Sequence, residues 1–212
     1  LSIRNLHIQG RQDAGWQPII NGVNLDLNKG EVLGLIGESG AGKSTLGLAA
    51  MGYCRDGTRI SQGTVTFDGM ELLSLPERRR RRLRGARIAY VAQSAAAYFN
   101  PAHTLMKQFT EAPVDIHHIE SQADAERHGR ELYAQLRLPN PAEIGFRYPH
   151  QVSGGQLQRA MTAMAMACKP DLIIFDEPTT ALDVTTQIEV LAAIRDAVRD
   201  IGTAAIYITH DL

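Results

Sequence analysis

Apolar and polar positions alternate loosely at the start of the chain, and short continuous apolar runs follow. The alternation over Leu1 to Ile8 predicts a strand, and Ile19 to Leu27 predicts another. Between them, Gly10 to Gly15 is polar and rich in turn-forming residues, so we expect a turn there. The runs Glu31 to Ile36 and Gly63 to Gly69 predict two further strands. Pairing of the strands before the Gly37 loop with the Gly63 to Gly69 strand would form an antiparallel β patch beside a main sheet.

The later part of the chain alternates strands with helices. A strand is predicted over Ile88 to Ala92, and helical periods interrupted by five prolines extend from Ser94 to about Gln151. The remaining predicted elements are a helix over Gln156 to Cys168, a strand over Leu172 to Phe175, a helix over Thr185 to Asp200 and a strand over Ala204 to Thr209. This order predicts an α/β fold whose parallel sheet is covered on both faces. We expect a core formed by residues 1–93 and 159–212, with residues 94–158 as an inserted helical subdomain.

Composition narrows the class of protein only slightly. The 212 residues are 44% hydrophobic and 21% charged with a formal net charge of −1, which gives no general indication of nucleic-acid binding. The arginine run Arg78 to Arg82 lies in a predicted helix. It can be interpreted either as a solvated helix face or as a nucleic-acid-binding patch. Cys54 and Cys168 are far apart, which favours a reducing compartment over a disulfide framework. No apolar run approaches the length that crosses a bilayer.

The clearest motif is Gly-Glu-Ser-Gly-Ala-Gly-Lys-Ser-Thr, between a predicted strand and a helix-forming run. In that context glycines let the backbone N–H groups turn toward a polyphosphate at the N-terminus of the next helix. We expect Lys43 to contact the β- and γ-phosphates and the Ser44 hydroxyl to bind Mg²⁺. The alternative is a glycine-rich turn with an incidental lysine. The expected nucleotide-binding residues are Gly37, Glu38, Ser39, Gly40, Ala41, Gly42, Lys43, Ser44 and Thr45.

Polar side chains also follow three later strands. Asp176 and Glu177 end the apolar run Leu172 to Phe175, where Asp176 would hold Mg²⁺ opposite Ser44 and Glu177 would orient or deprotonate a water. His210 and Gln93 follow two other predicted strands, so His210 would reach the γ-phosphate and Gln93 would bind Mg²⁺ or water. Taken singly, such residues are more often caps or surface groups than ligands.

A second phosphate-binding sequence lies further along the chain. Val152-Ser-Gly-Gly-Gln156 places a hydroxyl and two glycines just before a helix. One site does not need two such loops. We therefore expect Ser153, Gly154, Gly155 and Gln156 to close on a nucleotide held by a second copy.

Together with Ala181-Leu-Asp183, these motifs make six in all, and in their order along the chain they resemble the nucleotide-binding domain of ATP-binding cassette (ABC) transporters. Phe99-Asn-Pro101 and Tyr148-Pro-His150 are similar to the branch that imports peptides, nickel and opines. The resemblance implies a P-loop NTPase (RecA-like) core, with Gly37 to Thr45 as Walker A, Leu172 to Asp176 as Walker B and Glu177 as the catalytic carboxylate. It implies that Gln93 is the Q-loop glutamine and His210 the switch histidine.

The same resemblance implies further residues and partners. Ala181 to Asp183 is similar to the D-loop, with Asp183 at the dimer interface, and Trp16 is the candidate aromatic that stacks on adenine. The implied activity is Mg²⁺-dependent ATP hydrolysis coupled to transport. The implied partners are a second ATP-binding domain, membrane permease subunits and an extracytoplasmic solute-binding protein, with no nucleic acid. The implied location is peripheral, on the cytoplasmic face of the cell membrane.

Other P-loop proteins remain as alternatives at this point. A soluble ABC ATPase acting on ribosomes or DNA shares all six motifs, although it usually carries a long coiled-coil insertion or a second cassette. A GTPase would need an Asn-Lys-x-Asp guanine motif, which this sequence lacks. A P-loop kinase would leave the Ser-Gly-Gly motif unexplained.

Overall fold

The computed structural model describes residues 1–179 and 182–210. It contains an antiparallel sheet, a parallel sheet and helices that pack on them. The strands are β1 Ser2–Gln12, β2 Gly15–Asp26, β3 Val32–Ile36, β4 Thr58–Phe67, β5 Met70–Glu71, β6 Ile88–Val91, β7 Leu172–Asp176 and β8 Ala204–Thr209. The α-helices are α1 Lys43–Ala50, α2 Glu77–Leu83, α3 Leu105–Thr110, α4 Gln122–Gln135, α5 Gly154–Met166 and α6 Val184–Ile201.

The antiparallel sheet has the order β2-β1-β4-β5, which confirms the predicted β patch. The predicted turn over Gly10 to Gly15 is wrong in extent. Gly10 pairs with Gln17 and Gln12 pairs with Gly15, so only two residues connect the strands. Strand β4 pairs with β1 as far as Thr58, although its first half is polar. Because ladder hydrogen bonds join backbone groups, polar side chains on an exposed sheet do not stop a strand.

The parallel sheet has the order β3-β8-β7-β6. Every residue of β7 is buried, and its alternating side chains enter two different apolar clusters. Ile173 and Phe175 pack with helices α3 to α6, whereas Leu172 and Ile174 pack with α1 and the antiparallel sheet. The sheet is therefore covered on both faces at β7, as the sequence predicts.

Strand β3 departs from that prediction. Its described neighbour is β8, and Val32 and Ile36 are 65% and 52% exposed. The expectation of burial on both faces therefore fails at this edge, where Val32 and α6 residues such as Ile188 line a groove.

Helices α3 and α4 and short helical turns fill the segment between β6 and α5. Their buried residues share one apolar cluster with β6, β7 and α6, and α5 extends across the predicted boundary between residues 158 and 159. Within residues 1–179 and 182–210, no helix is both long enough and apolar enough to cross a membrane.

Candidate nucleotide site

Four polar elements meet at one edge of the parallel sheet. The Gly37 loop follows β3, Gln93 lies two residues beyond β6, Glu177 follows β7 and His210 follows β8. All neighbouring strands in this sheet are parallel, so these four residues follow carboxyl ends that face the same crevice. The fold therefore brings together the residues that the sequence places at strand ends.

The loop after β3 has the backbone of a phosphate-binding turn. Gly40 and Gly42 have φ angles of 83° and 84°, in the left-handed region that glycine adopts without steric cost. Gly42 is the N-cap of α1, so the first N–H groups of the helix face the loop rather than a capping side chain. A Cβ at Gly42 would lie 2.8 Å from Ile20 Cδ1, which adds a packing reason for glycine.

The amine of Lys43 reaches across this loop. Its Nζ donates hydrogen bonds to the carbonyl oxygens of Gly37 at 2.6 Å and Glu38 at 2.7 Å. An ammonium group held at the mouth of a loop of backbone N–H donors suits a polyphosphate.

Ser44 and Asp176 are 132 positions apart in sequence but adjacent in the fold. The Ser44 hydroxyl donates to Asp176 Oδ1 at 2.8 Å, and the Tyr90 hydroxyl donates a short hydrogen bond to Asp176 Oδ2. Burial, with the bond to Asp176, raises the pKa of Tyr90 well above its usual value, so the phenol stays protonated and donates. Hydroxyl and carboxylate oxygens are the ligands that Mg²⁺ prefers, so Ser44 and Asp176 fit that ion.

Glu177 lies at the centre of a second cluster. Gln93 Nε2 donates to Glu177 Oε2 at 3.0 Å, and His210 Nδ1 lies 3.2 Å from the same oxygen. The Glu177 backbone N–H donates to the carbonyl oxygen of Ile208, and its φ of 46° is in the left-handed region. Side chains from the ends of β6 and β8 thus contact one oxygen of the carboxylate that follows β7, an arrangement that suits a group acting on a water.

The Ser-Gly-Gly-Gln segment forms the start of α5. Ser153 Oγ accepts from the Gln156 backbone N–H at 3.3 Å, and Gln156 Oε1 accepts from the Ser153 N–H at 2.9 Å, which is a capping box. In the described ranges, no hydrogen bond or ion pair joins Ser153–Gln156 to the Gly37–Thr45 loop.

Gly155 packs tightly against α6. A Cβ there would lie 2.5 Å from Thr186 Cγ2, whereas a Cβ at Gly154 would lie 3.7 Å from Leu182 Cδ2. Thr186 is held in place because its N–H and hydroxyl both donate to Asp183, at 3.0 and 2.7 Å. These bonds lower the pKa of Asp183, which caps α6. Ala181, the first residue of the predicted D-loop, lies outside the described residues.

Sequence reasoning missed two polar residues at this site. Gln158 is 4% exposed, and it accepts from the Ala95 N–H at 3.3 Å and donates to the Ala92 carbonyl oxygen at 3.1 Å, on either side of Gln93. Tyr90 holds Asp176 as described above. In the sequence, these residues are a tyrosine in an otherwise apolar strand and a glutamine on the buried face of a helix. Neither pattern indicates which residue the polar side chain contacts.

Trp16 lies on β2 near the hairpin end, 37% exposed, with the Arg59 guanidinium 4.2 Å from its ring centroid. The β2 residues against the phosphate loop are Ile19 and Ile20, which would contact a Cβ at Gly42. The stacking of adenine on Trp16 therefore stays a prediction.

Comparisons with known proteins agree with this geometry. The family model described as "ABC transporter" matches residues 20–180. The probable peptide ABC transporter ATP-binding protein y4tR of Sinorhizobium fredii is 42% identical, over 100% of this chain and 63% of its own length. The metal-staphylopine import system ATP-binding protein CntD of Staphylococcus aureus is 43% identical, over 92% of this chain and 72% of its own length.

Among solved structures, the chain is similar to the ATP-binding cassette MJ0796 in a dimeric post-hydrolysis state bound to ADP and Pi. The TM-score is 0.83 at 25% identity, covering 99% of this chain and 88% of that one. The chain spans less than two thirds of the length of y4tR.

Proposed function

The chain belongs to the ABC transporter family, and on that premise we propose that it binds and hydrolyses ATP to drive an importer of peptides, nickel, opines or similar small solutes. The names of the relatives, a peptide transporter protein and a metal-staphylopine import protein, support this substrate range. One observation carries the proposal. Behind a phosphate loop, the Ser44 hydroxyl donates to the Asp176 carboxylate, while Gln93 and His210 contact the Glu177 carboxylate.

We assign the roles in hydrolysis as follows. Lys43 and the loop N–H groups bind the phosphates, and Ser44 and Asp176 would hold Mg²⁺. Gln93, whose amide donates to Glu177 in this structure, would be a further ligand of the ion. When bound, Mg²⁺ neutralises charge that develops on the phosphate oxygens. Glu177 accepts a hydrogen bond from the attacking water or takes its proton, and Gln93 and His210 keep that carboxylate in position.

We propose that the second half of each site comes from another copy or a related subunit. Ser153, Gly154 and Gly155 precede or begin α5, where a helix N-terminus favours a phosphate, and they have no described bond to the loop of their own chain. The dimeric state of the cassette MJ0796 supports this assembly. Residues 94–158 would act as the unit that passes the motion on, with Asp183 at the subunit boundary.

The remaining partners and the location are also proposals. We infer membrane permease subunits and an extracytoplasmic solute-binding protein, with the chain peripheral on the cytoplasmic face of the membrane. Co-purification of the full-length protein with membrane subunits tests this inference, whereas co-purification with ribosomes or DNA alone contradicts it.

The test of the chemistry is Glu177→Gln. We expect ATP binding to persist while turnover is lost and ATP-bound dimers accumulate, because the amide keeps the size of the side chain but cannot take a proton. Glu143→Gln is the matched control, since Glu143 is exposed on a loop away from the strand ends. Hydrolysis by Glu177→Gln at the unaltered rate would contradict the assignment.

A further inference from the structure

Tyr90 lies on β6, and its hydroxyl donates to Asp176, a proposed Mg²⁺ ligand on the neighbouring strand β7. In the parallel pairing of β6 with β7, Tyr90 lies opposite Ile174. Side chains alternate along a strand, so Ile174 and Asp176 share a face, and that face packs against α1, where a Cβ at Gly47 would lie 3.1 Å from Ile174 Cγ2. The Tyr90 hydroxyl is therefore on the same side of the sheet as Ser44 at the start of α1.

The two carboxylate oxygens of Asp176 receive different donors. Ser44 Oγ donates to Oδ1 at 2.8 Å, and Tyr90 donates to Oδ2. Asp176 is only 5% exposed, so water has little access to compete for these oxygens. Two donors on two oxygens fix the rotation of the carboxylate about its last bond.

The Tyr90 ring is itself held in place. It packs against both apolar clusters of the protein, the one shared with α3 to α6 and the one shared with α1. A phenol oxygen attached to a ring fixed on both sides is a rigid donor. A water or a flexible side chain at the same place would not define the direction of the hydrogen bond as well.

We propose that Tyr90 is a positioning residue for metal binding: by holding Asp176 Oδ2, it keeps Oδ1 beside the Ser44 hydroxyl, where the two oxygens receive Mg²⁺. This inference rests on the proposed function, because it concerns the same cation site. Hydrogen-bond partners behind metal ligands set the orientation of those ligands, and their removal typically weakens metal binding by about 10–100-fold.

A purely structural role for Tyr90 predicts a different result. Removing the hydroxyl would then lower the stability of the fold and affect nucleotide binding equally with and without Mg²⁺. A positioning role affects only the part of ATP binding that depends on the metal. The Mg²⁺ dependence of ATP affinity therefore separates the two roles.

The experiment uses the full-length protein carrying Glu177→Gln, so that ATP is not consumed. ATP affinity is measured by calorimetry in EDTA and across a Mg²⁺ titration, for this parent and for the parent with Tyr90→Phe. We expect the Mg²⁺ concentration at half-effect to rise about tenfold, while the affinity in EDTA stays unchanged. Tyr98→Phe, at a tyrosine that is 66% exposed, is the matched control and should not shift the titration.

A second variant guards against a folding defect. Tyr90→Met also removes the hydroxyl but fills the space with a flexible apolar chain, and it should give the same rise in Mg²⁺ requirement. An unchanged Mg²⁺ titration in either folded variant, or an equal loss of affinity in EDTA and in Mg²⁺, overturns the proposal for Tyr90. A parent that binds ATP with no Mg²⁺ dependence at all would instead overturn the proposed cation site and function.

Discussion

Gly155 offers the most informative perturbation, because the structure assigns it a packing role in addition to its proposed role in nucleotide binding. In Gly155→Ala, the new Cβ would lie 2.5 Å from Thr186 Cγ2, about 1 Å inside ordinary carbon–carbon contact. Rotation of the Thr186 side chain away from the clash would break the hydrogen bond from its hydroxyl to Asp183. Overpacking of this kind costs about 1–3 kcal/mol of folding free energy.

The assay is urea unfolding followed by circular dichroism, with a matched rescue. Thr186→Ser removes the clashing methyl group and keeps the hydroxyl that bonds Asp183, so the double variant should regain most of the lost stability. Gly154→Ala is the control, because a Cβ there makes only ordinary contact at 3.7 Å with Leu182. Full stability of Gly155→Ala, or a double variant no more stable than Gly155→Ala alone, would refute the reasoning.

The rescued double variant also separates folding from assembly. If Gly155 must approach a nucleotide on another subunit, the double variant should be stable yet weak in ATP-driven dimerisation. Dimerisation at the level of the unmodified protein would show that the glycine serves only the contact between α5 and α6.

Three further predictions concern other residues. Lys43→Ala should weaken ATP binding about 10–100-fold, because a charged hydrogen-bonding group contributes about 1.5–3 kcal/mol. Equilibrium dialysis measures the ATP affinity, with Lys29→Ala, at an exposed lysine, as the control. Unchanged affinity in Lys43→Ala would contradict the assigned role. Trp16 is the only tryptophan of the 212 residues, so its fluorescence should change with ATP but not with tripolyphosphate if it stacks on the base; identical responses argue against stacking. Burial raises the pKa of the Cys168 thiol to about 11, so its alkylation by iodoacetamide should be slow at pH 8 and rise about tenfold per pH unit through pH 10; a plateau near pH 9 contradicts this.

Much of the fold and the strand-end residues follow from local sequence patterns. The apolar run over Leu172 to Phe175 forms β7, and the polar residues after β3, β6, β7 and β8 share one edge because parallel strands point the same way. The contact between Ser44 and Asp176 follows from that topology and from the phosphate-loop motif, without a structure.

What could not be predicted depends on tertiary packing. Tyr90 and Gln158 look like ordinary members of a strand and a helix, and only the fold shows that their polar atoms meet Asp176 and the backbone around Gln93. The hairpin length was also hidden, because the ladder between Gly10 and Gln17 depends on backbone pairing rather than on side-chain pattern. The contact between Gly155 and Thr186 joins the starts of two helices that are distant in sequence.

The left-handed backbone at Glu177 implies a trade-off between folding stability and activity. A residue with a Cβ in this conformation costs about 1–2 kcal/mol relative to the ordinary helical region, a penalty that asparagine tolerates better than glutamate. Selection for a sturdier protein alone would replace Glu177, and would lose the carboxylate with it. The fold thus keeps a locally unfavourable residue at the one place where its side chain meets both Gln93 and His210.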